Sequence, residues 1–368
     1  MDLLTKLQEI KLPGVKSIPL EQSNVFMDTV SIPTKILLLN GVVSGDLDGG
    51  VETGITIFAA PSKHFKSMYG LYMVEAFLSA HPDAICLYYD SERGASKGYW
   101  TSVGIDTKRV IYTEISNIEE LKVHMTNTLE IIDNQKVVIY IDSVGNLASK
   151  KEVDDALEGN DKADMTRAKQ LKSLFRIITP KINQKEIPCI VINHTYNEIG
   201  MFPKTIMSGG TGAMYSSNNV IFITKAQETE KVNGKEQKVG NKFTLVTHKS
   251  RRVVEDKRFG VVIKFGQKPS PYTGLFDIAL QLGNITKISA QLYGIAQSDA
   301  KTGEVMEVEG FKGRKRKDIE YSEDFWENEV FAKTNFKENF KEVFQLQITD
   351  LEDFDPEVEE DLDEYNEE

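Results

Sequence analysis

The sequence predicts an α/β protein with a mainly parallel central sheet, helices on both faces, an antiparallel extension and small appendages at both ends. Between about residues 50 and 265, five short runs that are apolar throughout alternate with amphipathic segments of helical spacing. Such alternation is typical of parallel strands that are covered on both faces. Three later runs have no long helical pattern between them, which indicates antiparallel hairpins. The five runs are 55–58, 85–89, 110–112, 137–141 and 190–192, and the later three lie near 220–224, 243–247 and 261–265.

Three amphipathic segments between these runs predict helices. The first follows Ser67, and the second is opened by Ser116 and Glu119, which form the pattern of a capping box. The apolar residues that recur at helical spacing are Met68, Leu71, Val74 and Phe77 in the first segment, Ile118, Leu121, Met125 and Leu129 in the second, and Ala168, Leu171, Phe175 and Ile178 in the third.

Composition and charge divide the chain into four predicted parts: residues 1–34, a core at 35–265, a C-terminal region at 266–349 and an acidic tail at 350–368. The net charge is −12, and the tail carries 12 acidic residues without Lys or Arg. The remaining 44 acidic residues equal the 44 basic ones, so the charge does not exclude a nucleic-acid partner. The tail is expected to be disordered. The aromatic-rich end of the C-terminal region, which includes Trp326 and Phe340, is expected to serve packing.

The overall composition excludes several classes of protein. With 368 residues, 40% hydrophobic and 27% charged, the chain is neither wholly disordered, collagen-like nor a disulfide scaffold. Cys86 and Cys189 each lie at the edge of an apolar run, so we expect buried free thiols in a reducing compartment. No apolar stretch approaches the roughly 20 residues that span a bilayer, and the start of the chain does not resemble a secretory signal. We therefore expect a cytoplasmic protein without a membrane partner.

A phosphate-binding loop is predicted between the first strand and the first helix. Backbone N–H groups and the helix N-terminus would hold the phosphates, Lys66 would reach the β- and γ-oxygens, and the Ser67 hydroxyl would bind Mg²⁺. Ala60 and Phe65 stand where the G-x-x-x-x-G-K-[ST] pattern has glycines. The loop therefore requires a negative φ at Ala60 and a Phe65 ring turned away from the nucleotide. Taken alone, the segment fits an ordinary strand–helix turn equally well. The predicted loop residues are Ala60, Pro61, Ser62, Lys63, His64, Phe65, Lys66 and Ser67.

Two carboxylates at strand ends make the phosphate site more specific. Asp142 directly follows the run 137–141, at the Walker B position that holds the water shell of Mg²⁺. Glu92 lies just past the run 85–89, where a carboxylate can polarise an attacking water. Alone, Asp142 would be a cap or turn residue and Glu92 a surface residue. The order of loop, Glu and Asp is more specific than any one of them.

These residues, together with further segments, resemble the RecA family of ATP-dependent DNA recombinases, most closely the UvsX-type recombinases of T-even-like bacteriophages. The resemblance covers about residues 30–280 and fades toward both ends. UvsX-type sequences also carry Phe before the loop lysine, whereas Ala60 departs from the pattern. The segments that carry the resemblance are, in order, 60–67, 89–92, 141–151, 164–169 and 192–196.

The resemblance implies a DNA-dependent ATPase that uses ATP and Mg²⁺. It assigns Lys66 and Ser67 to the phosphate and metal positions, Asp142 to the Walker B carboxylate and Glu92 to the catalytic glutamate. It also assigns Tyr99 to stacking on adenine and His194 to a polar sensor that couples the γ-phosphate to a DNA loop. A structural histidine in the core is the alternative for His194. Lys249 and Arg251 would reach the nucleotide of the neighbouring protomer, so that turnover depends on assembly.

Two loops of this family line the filament axis and bind DNA. They correspond to about Lys150–Met165, followed by Arg167, and to about Thr195–Gly212. Small residues in the second loop let backbone N–H groups approach phosphates, and Phe202 would wedge between bases. Without the resemblance, a flexible connector would be preferred. The predicted DNA-binding residues are Lys150, Lys151, Arg167, Phe202, Lys204, Gly209 and Gly210.

The sequence therefore predicts a recombinase that forms helical filaments on single-stranded DNA, searches duplex DNA and exchanges strands in recombination, repair and replication. Residues 1–34 would dock on the neighbouring protomer, and the basic cluster 312–317 would guide duplex DNA, pair with the acidic tail or form a solvated loop. A single-strand-binding protein and a loading mediator are further expected partners, in the host cytoplasm if a phage encodes the chain. Two alternatives stay open: a hexameric helicase of the same fold, and a mediator that binds nucleotide without turnover.

Overall fold

The computed structural model describes residues 3–10, 17–19, 21, 31–159, 166–198, 204–232, 234–308 and 313–346. The chain divides into two compact units, Met1–Ser31 and Ile32–Glu368. The first unit contains helix α1 (Leu3–Gln8). The elements described next all belong to the second unit. The predicted boundaries after residues 34 and 265 stay predictions.

An eight-stranded sheet forms the centre of the second unit. Its strands, with a small separate hairpin formed by the sixth and seventh, are β1 (Gly54–Ala59), β2 (Ile85–Asp90), β3 (Val110–Glu114), β4 (Val137–Asp142), β5 (Pro188–Asn193), β6 (Thr195–Asn197), β7 (Thr205–Met207), β8 (Asn219–Val232), β9 (Lys235–Ser250) and β10 (Arg258–Lys264). The order across the sheet is β10-β9-β8-β1-β5-β4-β2-β3. Strands β8 to β3 in this order pair in parallel, and β8, β9 and β10 pair antiparallel. The predicted fold class, with its antiparallel extension, is confirmed.

Helices cover both faces of the sheet, because alternate residues of the buried strands enter two different cores. In β4, Val138 and Tyr140 belong to one apolar cluster, whereas Ile139 and Ile141 belong to the other. The first cluster also contains residues of α2 (Leu37–Ser44), α3 (Lys66–Ala80) and α4 (Lys97–Val103). The second contains residues of α5 (Ile118–Ile131), α7 (Thr166–Gln184) and α8 (Gly212–Ser216), and α6 (Lys150–Leu157) lies between α5 and α7 in the chain. The period of two in a strand accounts for this division.

The N-terminus of α5 is capped one residue later than the sequence predicts. The side chain of Asn117 accepts the N–H of Glu120 at 2.9 Å, and the N–H of Ser116 donates to the Glu120 carboxylate at 2.9 Å. The predicted pair of Ser116 and Glu119 is therefore wrong, because the amide oxygen of Asn117 takes the capping position.

Strand β3 forms a free edge of the sheet and is not covered on both faces as predicted. Ile111 and Tyr112 each keep 51% of their surface exposed. Only β2 pairs with β3 among the strands that the structure describes. An edge strand with exposed apolar side chains offers unpaired backbone groups to another chain.

The C-terminal region adds a small second sheet and several short helices. Its elements are α9 (Leu275–Gln281), β11 (Ile285–Lys287), β12 (Leu292–Ser298), β13 (Val305–Val308), β14 (Arg314–Lys315), α10 (Arg316–Ile319), a π-helical turn (Phe325–Phe331) and α11 (Phe336–Phe344). Trp326, Phe336 and Phe340 are fully buried and belong to the same apolar cluster as α2 and α3. The predicted packing role of these aromatic residues is confirmed.

Cys86 and Cys189 are both buried and free, as predicted. None of the helices within the described ranges is long and apolar enough to cross a membrane.

Candidate functional site

The candidate site lies at the edge of the sheet where β1, β2, β4 and β5 end. Strand β5 lies between β1 and β4, and β2 lies beyond β4. Because the carboxyl ends of parallel strands meet at one edge, residues that are far apart in the sequence become neighbours there. The predicted residues Lys66, Glu92, Asp142 and His194 close or follow these four strands.

The loop between β1 and α3 meets both conditions that its non-glycine residues imposed. Ala60 is not among the residues with a positive φ, so its methyl group is tolerated there. Phe65 has a φ of 66° and Lys63 a φ of 63°, in the left-handed region that costs non-glycine residues about 1–3 kcal/mol. The Phe65 ring packs on Tyr69 and Phe243, with centroids 5.4 Å apart in each case. This aromatic packing offsets the backbone strain.

Further bonds hold the outer side of the loop. The ring nitrogen Nδ1 of His64 lies 2.9 Å from the carbonyl oxygen of Ser62. The ammonium of Lys225, on β8, donates to the carbonyl of Lys63 at 3.0 Å. Inside the loop, the Lys66 ammonium donates to the carbonyl of Pro61 at 3.0 Å. The loop is therefore held in one shape by its own residues and by β8.

Lys66 and Asp142 form the buried part of the site. Burial lowers the pKa of Lys66, while the nearby carboxylates of Glu92 and Asp142 act in the opposite direction. Burial raises the pKa of Asp142 to about 6, although a hydrogen bond from Ser67 opposes this shift. The buried Asp142 carboxylate and the Ser67 hydroxyl offer oxygen ligands to a cation, whereas the Lys66 ammonium offers positive charge to an anion.

Tyr140 holds the Asp142 carboxylate from within β4. Its hydroxyl lies 3.1 Å from Oδ2 of Asp142 and 3.1 Å from the carbonyl oxygen of Ser67. The ring is fully buried, and a Cβ on Gly70 would lie 2.6 Å from it. Sequence reasoning missed Tyr140. A signal was present, because most buried hydroxyl groups are hydrogen-bonded and Tyr140 lies in an otherwise aliphatic strand.

Glu92 is oriented by three neighbours. The carboxylate of Asp90 accepts the N–H groups of Glu92 and Arg93 at 3.0 and 2.9 Å, which closes a tight turn after β2. Oε1 of Glu92 lies 2.7 Å from Nε2 of His194 and also accepts the hydroxyl of Ser143. The His194 bond is the main cause of a lowered pKa of Glu92, although burial acts against it. The carboxylate therefore keeps its charge at neutral pH.

One further predicted residue, Tyr99, lies at the rim of the site. Tyr99, on α4, is 36% exposed, and burial together with Asp142 and Tyr72 raises its pKa. A ring so placed is accessible to a planar ligand, and stacking on adenine stays a prediction.

Lys249 and Arg251 lie at the end of β9. The Lys249 ammonium donates to the carbonyls of Met214, Tyr215 and Ser217 at 2.8, 3.1 and 3.0 Å, at the C-terminal end of α8. Arg251 is exposed. Lys249 is therefore bonded within its own chain, and the predicted reach toward a neighbouring protomer requires these bonds to open.

The predicted first DNA loop contains a helix that sequence reasoning missed. Helix α6 opens with a capping box of Ser149 and Glu152, and both Lys150 and Lys151 are exposed on its first turn. Residues 160–165 of this loop lie outside the described residues. The pattern of Ser followed by Glu three residues later was the available signal.

The predicted second DNA loop is in part a hairpin of β6 and β7. Lys204 is exposed, and Tyr196, which sequence reasoning missed, is 53% exposed. Gly209 and Gly210 have φ values of 87° and 77°, a conformation that other residues rarely adopt. Phe202 lies outside the described residues. Direct contact of this hairpin with nucleic acid stays a prediction.

Arg167 does not agree with its predicted DNA-facing position. Its guanidinium donates to carbonyls at 144, 145 and 147 and to the hydroxyl of Ser208. These acceptors belong to the protein itself, so the group is turned inward.

The chain is similar to known proteins along most of its length. The RecA N-terminal domain matches residues 28–268, and the C-terminal domain of the bacteriophage T4 recombination and repair protein matches residues 272–340. The recombination and repair protein of Enterobacteria phage T4 is 43% identical over 332 residues, which cover 90% of this chain and 83% of that protein. Protein RecA of Cutibacterium acnes is 27% identical over 291 residues, which cover 77% of this chain and 80% of that protein.

Proposed function

The chain belongs to the RecA family of recombinases, and on this premise we propose that it is a DNA-dependent ATPase that forms helical filaments on single-stranded DNA and exchanges homologous strands. The observation that carries the proposal is the bond between Glu92 and His194, at 2.7 Å. It joins a predicted catalytic carboxylate to the residue from which the β6–β7 hairpin begins. Nucleotide chemistry and DNA binding would thus share one contact.

The residues at the sheet edge fit a magnesium nucleotide. Ser67 and Asp142 offer the hydroxyl and carboxylate oxygens that Mg²⁺ prefers, and Lys66 offers an ammonium for phosphate oxygens. Bound Mg²⁺ would supply positive charge to the β- and γ-phosphates. The loop N–H groups would hold the phosphates, and Glu92, charged at neutral pH, would orient the attacking water.

Assembly into filaments would use the free edge of the sheet. Strand β3 carries the exposed side chains of Ile111 and Tyr112, and an extended segment of another protomer can add to such an edge. We propose that this segment is the part of residues 1–34 of the neighbouring protomer that follows α1, much of which lies outside the described residues. Lys249 and Arg251 would then face the adjoining nucleotide. A single-strand-binding protein and a loading mediator remain proposed partners.

The proposal is tested by measuring ATP hydrolysis with and without single-stranded DNA, with strand exchange assayed in parallel. We expect DNA to stimulate hydrolysis and ATP to support strand exchange. Electron microscopy with an ATP analogue and single-stranded DNA should show helical filaments. Closed rings would indicate the helicase alternative, and negligible hydrolysis with and without DNA would indicate the mediator.

Replacing Tyr140 with phenylalanine is expected to weaken Mg²⁺ binding. The variant loses the hydroxyl that lies 3.1 Å from the Asp142 carboxylate, and loss of such an outer partner typically lowers metal affinity about 10-fold or more. The measurement is the Mg²⁺ concentration that half-saturates binding of a fluorescent ATP analogue. Tyr69→Phe is the matched control, because the buried Tyr69 hydroxyl has no hydrogen-bond partner within the described residues. An unchanged Mg²⁺ requirement in Tyr140→Phe would contradict this role.

Removing residues 350–368 is expected to strengthen DNA binding at low salt. The tail carries 12 acidic residues and would compete with DNA for basic surfaces through Coulomb attraction. The gain should shrink as salt rises, because the Debye length falls from about 30 Å at 0.01 M to about 8 Å at 0.15 M ionic strength. Affinity for a labelled oligonucleotide is measured across this range. A full-length variant with amides in place of the tail carboxylates should behave like the truncation, and equal affinities for all three proteins would rule the competition out.

A further inference from the structure

Arg167, the second residue of α7, bonds to the protein segments at which both predicted DNA loops begin or end. Its Nε donates to the carbonyl of Leu147 at 2.7 Å, and Nη2 donates to the carbonyls of Gly145 and Val144 at 2.7 and 3.3 Å. The same Nη2 lies 3.2 Å from the hydroxyl of Ser208. The carbonyls belong to the segment that leads from β4 into the first loop, and Ser208 directly follows β7 of the second.

The second loop is connected to the nucleotide site through the end of β5. The N–H of Ser208 donates to the carbonyl of His194 at 2.8 Å, and the buried Asn193 amide donates to the carbonyl of Ser208 at 3.0 Å. His194 in turn bonds to Glu92. A displacement of His194 would therefore reach Ser208 directly, and Arg167 through it.

Close packing at Gly145 leaves this junction little freedom. A Cβ on Gly145 would lie 2.5 Å from Cδ2 of His194 and 2.9 Å from the side-chain oxygen of Asn193. Such contacts require a neighbour to move. The carbonyl of Gly145 also accepts from Ser208 Oγ at 3.3 Å as well as from Arg167. The segments around Gly145 and Ser208, which adjoin the two loops, therefore form one packed unit with His194.

We propose that Arg167 is a positioning residue that couples the two DNA loops to the nucleotide site, and that its charge does not contact DNA. The inference rests on the proposed function, because it needs DNA affinity to depend on the bound nucleotide. A planar guanidinium can bond to several carbonyls and a hydroxyl at fixed angles, whereas a lysine ammonium cannot reproduce that fork. Lysine would, however, preserve a charge contact with a phosphate. Arg167→Lys therefore separates the two roles.

The experiment measures binding of a labelled single-stranded oligonucleotide by wild type, Arg167→Lys and Arg167→Ala, with adenosine 5′-O-(3-thiotriphosphate) or with ADP, over a range of salt. We expect the wild-type protein to bind DNA more tightly with the triphosphate analogue than with ADP. The ratio of the two affinities should lie in the range of about 5–150, as in typical allosteric coupling. Both variants should bring this ratio close to one. The slope of log affinity against log salt should be that of wild type in both, since no phosphate contact is lost.

The opposite pattern would overturn the inference. If Arg167 contacts a phosphate, Arg167→Ala should reduce the salt slope by about 0.7 while Arg167→Lys behaves like wild type. Thermal unfolding shows whether each variant is folded, and Ser208→Ala, which removes one acceptor and leaves the arginine, should lower the nucleotide ratio in part. A wild-type ratio in Ser208→Ala and Arg167→Lys would contradict the coupling. Absence of a nucleotide effect in wild type itself would instead refute the proposed function.

Discussion

Replacing Glu92 with glutamine is expected to lower the rate of DNA-stimulated ATP hydrolysis about 10²–10⁴-fold, the range that general acid–base catalysis contributes. The amide keeps the size of the side chain and can still accept a hydrogen bond from His194 or Ser143, but it loses the negative charge that orients water. In wild type this charge is secured by the His194 bond, which lowers the pKa of the carboxylate. The measurement is steady-state hydrolysis with saturating single-stranded DNA.

The variant should keep its affinity for nucleotide and its nucleotide-dependent DNA binding, because the lost charge matters for the chemical step. Glu114→Gln is a matched control: Glu114 closes β3 and is bonded to Arg93 at the surface. It should hydrolyse ATP at nearly the wild-type rate. Hydrolysis by Glu92→Gln at the wild-type rate would remove Glu92 from the catalytic step.

Replacing Arg251 with alanine is expected to lower DNA-stimulated hydrolysis about 10³–10⁵-fold, which is the contribution of an arginine that stabilises the transferring phosphoryl group. Arg251 is exposed at the end of β9, and the proposed filament would bring it to the nucleotide of the adjoining protomer. The affinity of the unassembled protomer for nucleotide should stay unchanged, because Arg251 would act only across the boundary between two protomers, here called the seam. Hydrolysis is measured with DNA, and binding is measured without it.

The neighbouring arginine provides the control for this variant. Arg252 bonds to Glu52 of its own chain at 2.8 Å, so Arg252→Ala should alter stability more than the chemical step. If Arg251→Ala hydrolyses ATP as fast as Arg252→Ala does, Arg251 contributes nothing to the seam. A Lys249 variant would not isolate a contribution across the seam. Lys249 bonds to three carbonyls at the end of α8, so its loss would also change the structure of its own protomer.

Much of the site could be predicted because its residues follow strands that are visible in the sequence. Apolar runs marked β2 and β4, and their ends placed Glu92 and Asp142 at one edge of a parallel sheet. The phosphate loop was visible from its strand, lysine and helix. Phe65 was harder, since its left-handed φ is supported by packing on Phe243, a residue 178 positions away in the chain.

The features that were not predicted from the sequence depend on distances between residues that only the folded chain determines. Tyr140 lies in an apolar run, and nothing in that run shows that its hydroxyl reaches Ser67. Arg167 carries a positive charge next to a predicted DNA loop, as a DNA contact would, but its guanidinium is bonded to carbonyls of the protein itself. Strand β3 reads as buried, yet its position at the edge of the sheet exposes Ile111 and Tyr112. Local pattern predicted the elements, whereas side-chain partners required the tertiary structure.

The claim that two protomers share one nucleotide site is tested most directly by mixing two inactive variants, Lys66→Ala and Arg251→Ala, on single-stranded DNA. The first lacks the phosphate lysine and keeps Arg251, and the second has the converse arrangement. If a nucleotide is held by Lys66 of one protomer and Arg251 of the next, some seams in the mixture contain both, and ATP hydrolysis should exceed that of either variant alone. A mixture that hydrolyses ATP no faster than its separate components would show that the two residues do not act across a protomer boundary.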